Sequence, residues 1–437
     1  MGSLDRYQRI DKERIVMKRV VLLMIAILLL IPLASRGEEA IEETVKIGTL
    51  LPLSGWGAAY GERLQKAYTM AIEEINAQGG VLGKKLELVI RDSQGKPPLA
   101  AREAKKLIEQ EEVIALVGGW SSDIAWAIAQ VVQEKKVPYL LDHPSSDKLT
   151  RQGFQYVFRI QPTWGMYPTA LEDFLLKVVY PQENRKLRVA YLYIDNPFAQ
   201  SVWEYGLKPF FRSHREEFDL VLVEPYQGVA LDFRLLLLKV KAAHPDLVIF
   251  TSFLRDAILL AREAREVGIR PLIFSGVGAG HSAEDFIKEA GEAGEGYFSA
   301  APWRGDMFNP QWETWESKWT EKHEHPPGEL EAEAYSAIYV LARALEGVKS
   351  WDDVEKAREE LTESLEGVDM DTVFGHVKFE SFSGYTHQNR AYNLTALFQW
   401  QEGALFQVWP PTAAERPFFY PVDYQIQDME KQEGGEQ

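Results

Sequence analysis

The chain contains no cysteine among its 437 residues. That absence excludes disulfides, thiolate nucleophiles and thiolate metal sites. An exported protein built this way is stabilised by its core alone. It also lacks the thiol that lipid-anchored bacterial exported proteins need after their signal. Basic charge is scarce too: 48 Lys and Arg stand against 65 Asp and Glu, a net charge of −17. Nucleic-acid binding needs a basic surface, so that class is set aside. Long apolar runs are missing except over residues 20–33, and that one is broken by Pro32. It follows Lys18 and Arg19 and leads into Ala34, Ser35 and Gly37. This is the order of a secretory signal, in a run short for a membrane span. Residues 1–37 are expected to be a signal peptide with an extended charged start, cleaved after Gly37 or Ser35. An uncleaved anchor is the other reading. A freely soluble periplasmic protein follows.

What is present is enough apolar material for two cores, 46% of the residues. Strand-like and helix-like patterns alternate. Residues 45–50 read as a strand, and 62–76 carry Leu64, Ala67, Tyr68, Ala71, Ile72 and Ile75 at helical spacing. Gly79 and Gly80 end that helix. The alternation continues to about residue 159 and restarts from 167 to 274. Helices over 309–321, 333–346 and 354–365 follow, then a β-rich end over 372–409 and an acidic tail over 420–437, expected to be disordered. Alternating β and α units imply α/β lobes with parallel sheets.

Two apolar runs, 113–117 and 137–141, each end in a hydroxyl-rich turn. The first contains Gly118, Gly119, Trp120, Ser121, Ser122 and Asp123; the second contains His143, Pro144, Ser145, Ser146 and Asp147. In open parallel sheets, ligands bind beyond the carboxyl ends of the strands. Serine hydroxyls and free N–H groups there can receive a carboxylate. The plain alternative is that the serines cap helices. His143, beside Ser145, is a candidate donor to a ligand oxygen, with packing or solvent as the alternative.

The run Ala71-Ile72-Glu73-Glu74-Ile75-Asn76-Ala77-Gln78-Gly79-Gly80-Val81-Leu82-Gly83 resembles the helix-end signature of periplasmic binding proteins for leucine, isoleucine and valine. Ile47 to Gly55, Tyr60-Gly61, Arg91 to Gln94, Val137-Pro138 and Leu149-Thr150 fit the same family. The resemblance covers about 45–409 and implies the type I periplasmic-binding fold: two Rossmann-like lobes, a three-segment hinge and closure on a ligand. It implies a first lobe over 44–162 and 300–373 and a second over 163–299 and 374–409. Its carboxylate-holding hydroxyls fall on Ser122 and Ser145, with Ser121 alongside. Its aromatics fall on Tyr60, Phe198 and Phe253, and Trp120, Trp164 and Trp303 lie in segments expected to face the cleft, with lobe packing as the alternative for the last two. The family's ammonium-holding acid falls at about Val277, where the loop from Ser275 to Gly280 has no acid. A buried ammonium without a counter-charge is costly, so a standard α-amino acid is disfavoured and an apolar carboxylate or neutral amide is expected. The resemblance further implies a monomeric solute receptor delivering its ligand to an ABC permease in the inner membrane, without cofactor or catalysis. A sensory module is the rival reading.

Other signals carry less. Gly276, Gly278 and Gly280 lack the spacing of a dinucleotide turn. His323 and His325 precede two prolines and read as an exposed loop. Glu329, Glu331 and Glu333 read as a solvated helix start. No Ser, His and Asp set is spaced for catalysis.

Overall fold

The structure is a computed structural model, and it describes residues 44–55, 57–228, 231–302, 309–389 and 395–420. The expected signal, nearly all of the expected tail and Trp303 lie outside the described residues. Tyr420, where that tail was expected to begin, donates its hydroxyl to Glu183 at 2.8 Å. From Val45 onward the chain is one compact unit.

Two sheets organise it. The first half supplies β1 (Thr44–Leu51), β2 (Lys85–Asp92), β3 (Ala115–Gly118), β4 (Tyr139–Leu141) and β5 (Val157–Arg159). Then come β6 (Leu187–Ile194), β7 (Phe218–Tyr226), β8 (Leu247–Thr251), β9 (Ile273–Val277) and β10 (Phe298–Pro302). The chain ends with β11 (Asp369–Thr372), β12 (Gly375–Phe382), β13 (Tyr385–Asn389), β14 (Thr395–Gln401) and β15 (Ala404–Trp409). The first sheet runs β11-β12-β13-β5-β4-β3-β1-β2, and the second β15-β14-β10-β9-β8-β6-β7. Each therefore contains the order 2-1-3-4-5 of a doubly wound fold, whose switch point lies between its first and third strands.

The strands form as their apolar content dictates: β3, β4 and β8 are buried throughout, as central strands covered on both faces must be. Helices Ala58–Ala77, Trp312–His323 and Glu329–Leu345 share one core on the first sheet, while Pro97–Glu109 and Ser122–Lys135 share another. The expected helix over 62–76 thus starts one turn earlier.

The chain passes between the sheets three times, after β5, after β10 and after β13. Two expected boundaries need correction. Strands β12 and β13, assigned from the sequence to the second lobe, extend the first sheet, because β13 pairs in parallel with β5 at Gln388 and Arg159. The side chains reinforce this register, with the Arg159 Nε donating to Gln388 Oε1 at 2.7 Å. Strand β10 belongs wholly to the second sheet, so the boundary expected at 299/300 falls inside it.

Candidate functional site

All the sequence-predicted site residues stand at or just beyond the carboxyl ends of parallel strands. Tyr60 follows β1, Trp120 to Ser122 follow β3, and His143 and Ser145 follow β4. In the second sheet, Phe198 follows β6, Phe253 follows β8, and Val277 ends β9. These include both switch points, where the topology itself opens a crevice.

The first-sheet turns are tightly built. Gly118 and Gly119 have φ of +94° and +105°, and an added Cβ would lie 2.5 Å from Tyr68 Oη and 2.2 Å from Tyr139 Oη. Only glycine fits there. Trp120 follows with φ of +43°, in the left-handed region that a bulky residue rarely adopts. Its ring stacks on Tyr60, centroids 5.2 Å apart, and Tyr60 is 43% exposed. Ser121 caps the helix Ser122–Lys135 by accepting from the Ile124 N–H, so for this residue the plain capping role holds. The Ser122 hydroxyl accepts from the Ser146 N–H at 3.2 Å, joining the two serine turns. Ser145 is buried, its hydroxyl 2.9 Å from the His143 carbonyl and 2.7 Å from Gln161 Oε1. One hydroxyl proton serves only one of these at a time.

The second sheet presents aromatic rings. Phe198 packs edge-on against Trp164 at 5.6 Å and Tyr167 at 6.2 Å, and stacks with the exposed Phe253 at 6.1 Å. Gly278, at φ +88°, lets Phe198 sit there, since a Cβ would lie 2.4 Å from its Cζ. Trp164 thus packs within its own half, as its plain reading had it. Val277 is 1% exposed and joins the apolar core with Phe298 and Ala300, so its side chain presents no surface to a ligand. The two walls meet: the Trp164 N–H donates to the Ser145 carbonyl at 3.0 Å, and the Gly165 N–H to Asp147 at 3.1 Å. Tyr167 stands on the same side, its ring packed edge-on to Phe198.

The acidic helix start overturns its solvated reading. Glu331 and Glu333 are fully buried, because the start of Glu329–Leu345 is packed against the second serine turn and Arg63. Glu331 is satisfied by a two-pronged Arg63 contact and by the Gly328 N–H at 2.9 Å. Arg63 holds its carboxyl below the usual range against the opposing effect of burial. Glu333 Oε2 lies 2.7 Å from His143 Nδ1. Burial pushes its carboxyl well above the usual range, with Asp142 and Glu331 adding to the rise. Burial also raises Glu329, to about 8, with Glu333 contributing. Burial lowers His143, so its ring is held neutral as a hydrogen-bond partner. Glu329, Glu333, Gln161 and Tyr167 are the site residues missed from the sequence. The acids were two residues apart in a polar stretch, which looked like solvent exposure. Their four-residue spacing along one helix face was the available signal.

Among the described residues, no group of three or more His, Asp or Glu side chains is placed to hold a metal, and His323 instead packs on Trp319 at 4.2 Å.

The family model for periplasmic binding protein matches residues 44–404. The chain belongs to that family. The binding protein is 29% identical over 392 residues to Leu/Ile/Val-binding protein homolog 7 of Brucella abortus (strain 2308), covering 85% of this chain and 92% of the relative. Among solved structures it is similar to an ABC transporter substrate-binding protein from Desulfitobacterium hafniense in complex with Leu. That match has a TM-score of 0.63 at 22% identity, over 84% of this chain and all of that one. It is also similar to the branched-chain amino acid transporter substrate binding protein LivJ of Streptococcus pneumoniae in complex with isoleucine. There the TM-score is 0.59 at 23% identity, over 83% and 98% of the two chains. These neighbours share the fold of the binding protein. Proteins of this family bind solutes outside the cytoplasm, and among the described residues no helix is long and apolar enough to cross a membrane.

Proposed function

We propose that the protein is the solute receptor of an ABC importer, carrying a small carboxylate, amide or amino-acid-like ligand to an inner-membrane permease. One observation carries the reading: the hydroxyl turns of one sheet and the aromatic cluster of the other meet at strand carboxyl ends, joined by Ser145 to Trp164 and by Asp147 to Gly165. Ser122, Ser145 and the nearby N–H groups receive the ligand's oxygen atoms. Tyr60, Trp120, Phe198 and Phe253 cover its apolar part. His143, held neutral, lines the polar side. The lobes close on the ligand about the three crossing segments, and the permease reads the closed form. The protein reaches the periplasm through its N-terminal segment and acts there as a monomer, as a carrier and without catalysis.

A thermal-shift screen of small carboxylates, amides and amino acids tests this, since a ligand of the native state raises its melting temperature. Hits are expected to bind one per chain in calorimetry and to shrink the radius of gyration in solution scattering. A screen with no stabilising compound, or a hit consumed by turnover, overturns the reading.

A further inference from the structure

The loop where the family's acid is expected, Ser275 to Gly280, has none. The first lobe supplies two elsewhere. Glu329 and Glu333 lie four apart on one helix face, and each leaves its Oε1 buried without a partner. Glu333 is 0% exposed. The two do not satisfy each other, since neither Oε1 finds the other. Their neighbours explain the vacancy in bonding. On the β4 side stand His143, already bound to Glu333 Oε2, and Asp142, which accepts from Tyr68. The helix Ala58–Ala77 offers two cations: Glu331 engages Arg63 on both prongs, and Lys66 pairs with Glu62 at 2.8 Å. Gln161 is engaged by the Ser145 hydroxyl, and from the second lobe comes the uncharged hydroxyl of Tyr167, which burial and then both acids push upward. Four carboxyl groups thus surround one engaged guanidinium and one neutral imidazole. Two carboxyls on one helix face, Glu333 fully buried and Glu329 half-buried, resist ionising together without a cation.

We propose that Glu329 and Glu333 hold a cationic nitrogen of the ligand, an ammonium or amidinium. This rests on the interlobe reading above and replaces the expectation of an amine-free ligand. Without ligand the pair keeps its protons, in line with the raised Glu329 carboxyl. Seating the cation ionises one carboxyl of the pair, and its displaced proton leaves to solvent. The ligand's oxygen atoms remain on the serine turns, and its apolar part on the rings around Phe198.

Matched probes test the proposal on the full mature chain. One set is leucine, 4-methylpentanoate and isopentylamine; a second is phenylalanine, 3-phenylpropanoate and phenethylamine; a third is arginine and agmatine. The amine-bearing members are expected to stabilise the protein, and the amine-free acids to stabilise it weakly or not at all. Calorimetry at pH 7 in phosphate and in HEPES is expected to reveal release of about one proton per amine-bearing ligand. Glu329→Gln and Glu333→Gln are expected to weaken those ligands by roughly 10- to 150-fold, the effect of losing a charged hydrogen bond. The wild-type comparison needs no variant to fold. Preferred binding of the amine-free acids, or binding without proton release, overturns this proposal and leaves the receptor reading standing. No stabilisation by any probe overturns this proposal, and an empty result in the wider screen then removes the receptor reading too.

Discussion

The Ser122 hydroxyl accepts from the Ser146 backbone N–H at 3.2 Å, so the two serine turns are one structural piece. Replacing Ser122 by Ala strips that N–H of its partner and removes the ligand contact proposed for it. Binding is expected to weaken by ~1–3 kcal/mol. Calorimetry with the best ligand of the screen measures it, and an unchanged affinity removes Ser122 from the site.

Phe198 and Gly278 form a coupled pair. An alanine at 278 brings a Cβ within 2.4 Å of the Phe198 ring at a φ of +88°. Gly278→Ala is expected to cost ~1–3 kcal/mol of stability from backbone strain, and to weaken binding by displacing the ring. Combining it with Phe198→Ala relieves the clash. Chemical denaturation of both single variants and the double variant is expected to give a non-additive cycle. Strict additivity breaks the assignment.

Arg63 is half exposed, but the Glu331 it holds is buried. Arg63→Ala leaves that carboxyl alone and is expected to cost about 2–3 kcal/mol at pH 7, the lower end for a broken buried pair after solvent screening. Arg63 holds the folded Glu331 carboxyl below its usual value. Its contribution is therefore complete above about pH 4.5 and is lost as pH falls. The melting-temperature gap between wild type and variant is expected to narrow in acid.

The unpaired acids give the opposite slope. Glu329 rises from 4.5 unfolded to about 8 folded, and Glu333 rises as well. Their contribution is complete below about pH 4.5 and is lost as pH climbs toward 8. Ligand-free protein is expected to melt at lower temperature as pH goes from 5 to 8, and Glu329→Gln to flatten that slope. A steeper slope in the variant refutes the assignment.

The α/β alternation was legible because a buried parallel strand needs a short apolar run and its helix an apolar stripe. The serine turns were legible as strand ends rich in small and hydroxyl residues. Sheet membership of β12 and β13 was not, because it is set by the parallel pairing of β13 with a strand far back in the chain, and Gln388 gives no local sign that it meets Arg159. Glu329 and Glu333 were read as solvated because a charge is usually exposed. Glu333 meets His143, 190 positions away in the chain, and its neighbour Glu331 meets Arg63, 268 positions away. Val277 was placed by alignment with a family position, and strand packing turned its side chain into the core.

The helices Trp312–His323 and Glu329–Leu345 pack in the same core as Ile47, Leu51, Val117 and Phe158. Strands made early therefore wait for part of their cover, which is made late. Until synthesis has passed Leu345, the helix Ala58–Ala77 covers that oily sheet face without its two late partners. A nascent chain of this kind depends on helper proteins against clumping, and truncation ahead of Glu329–Leu345 is expected to yield insoluble product.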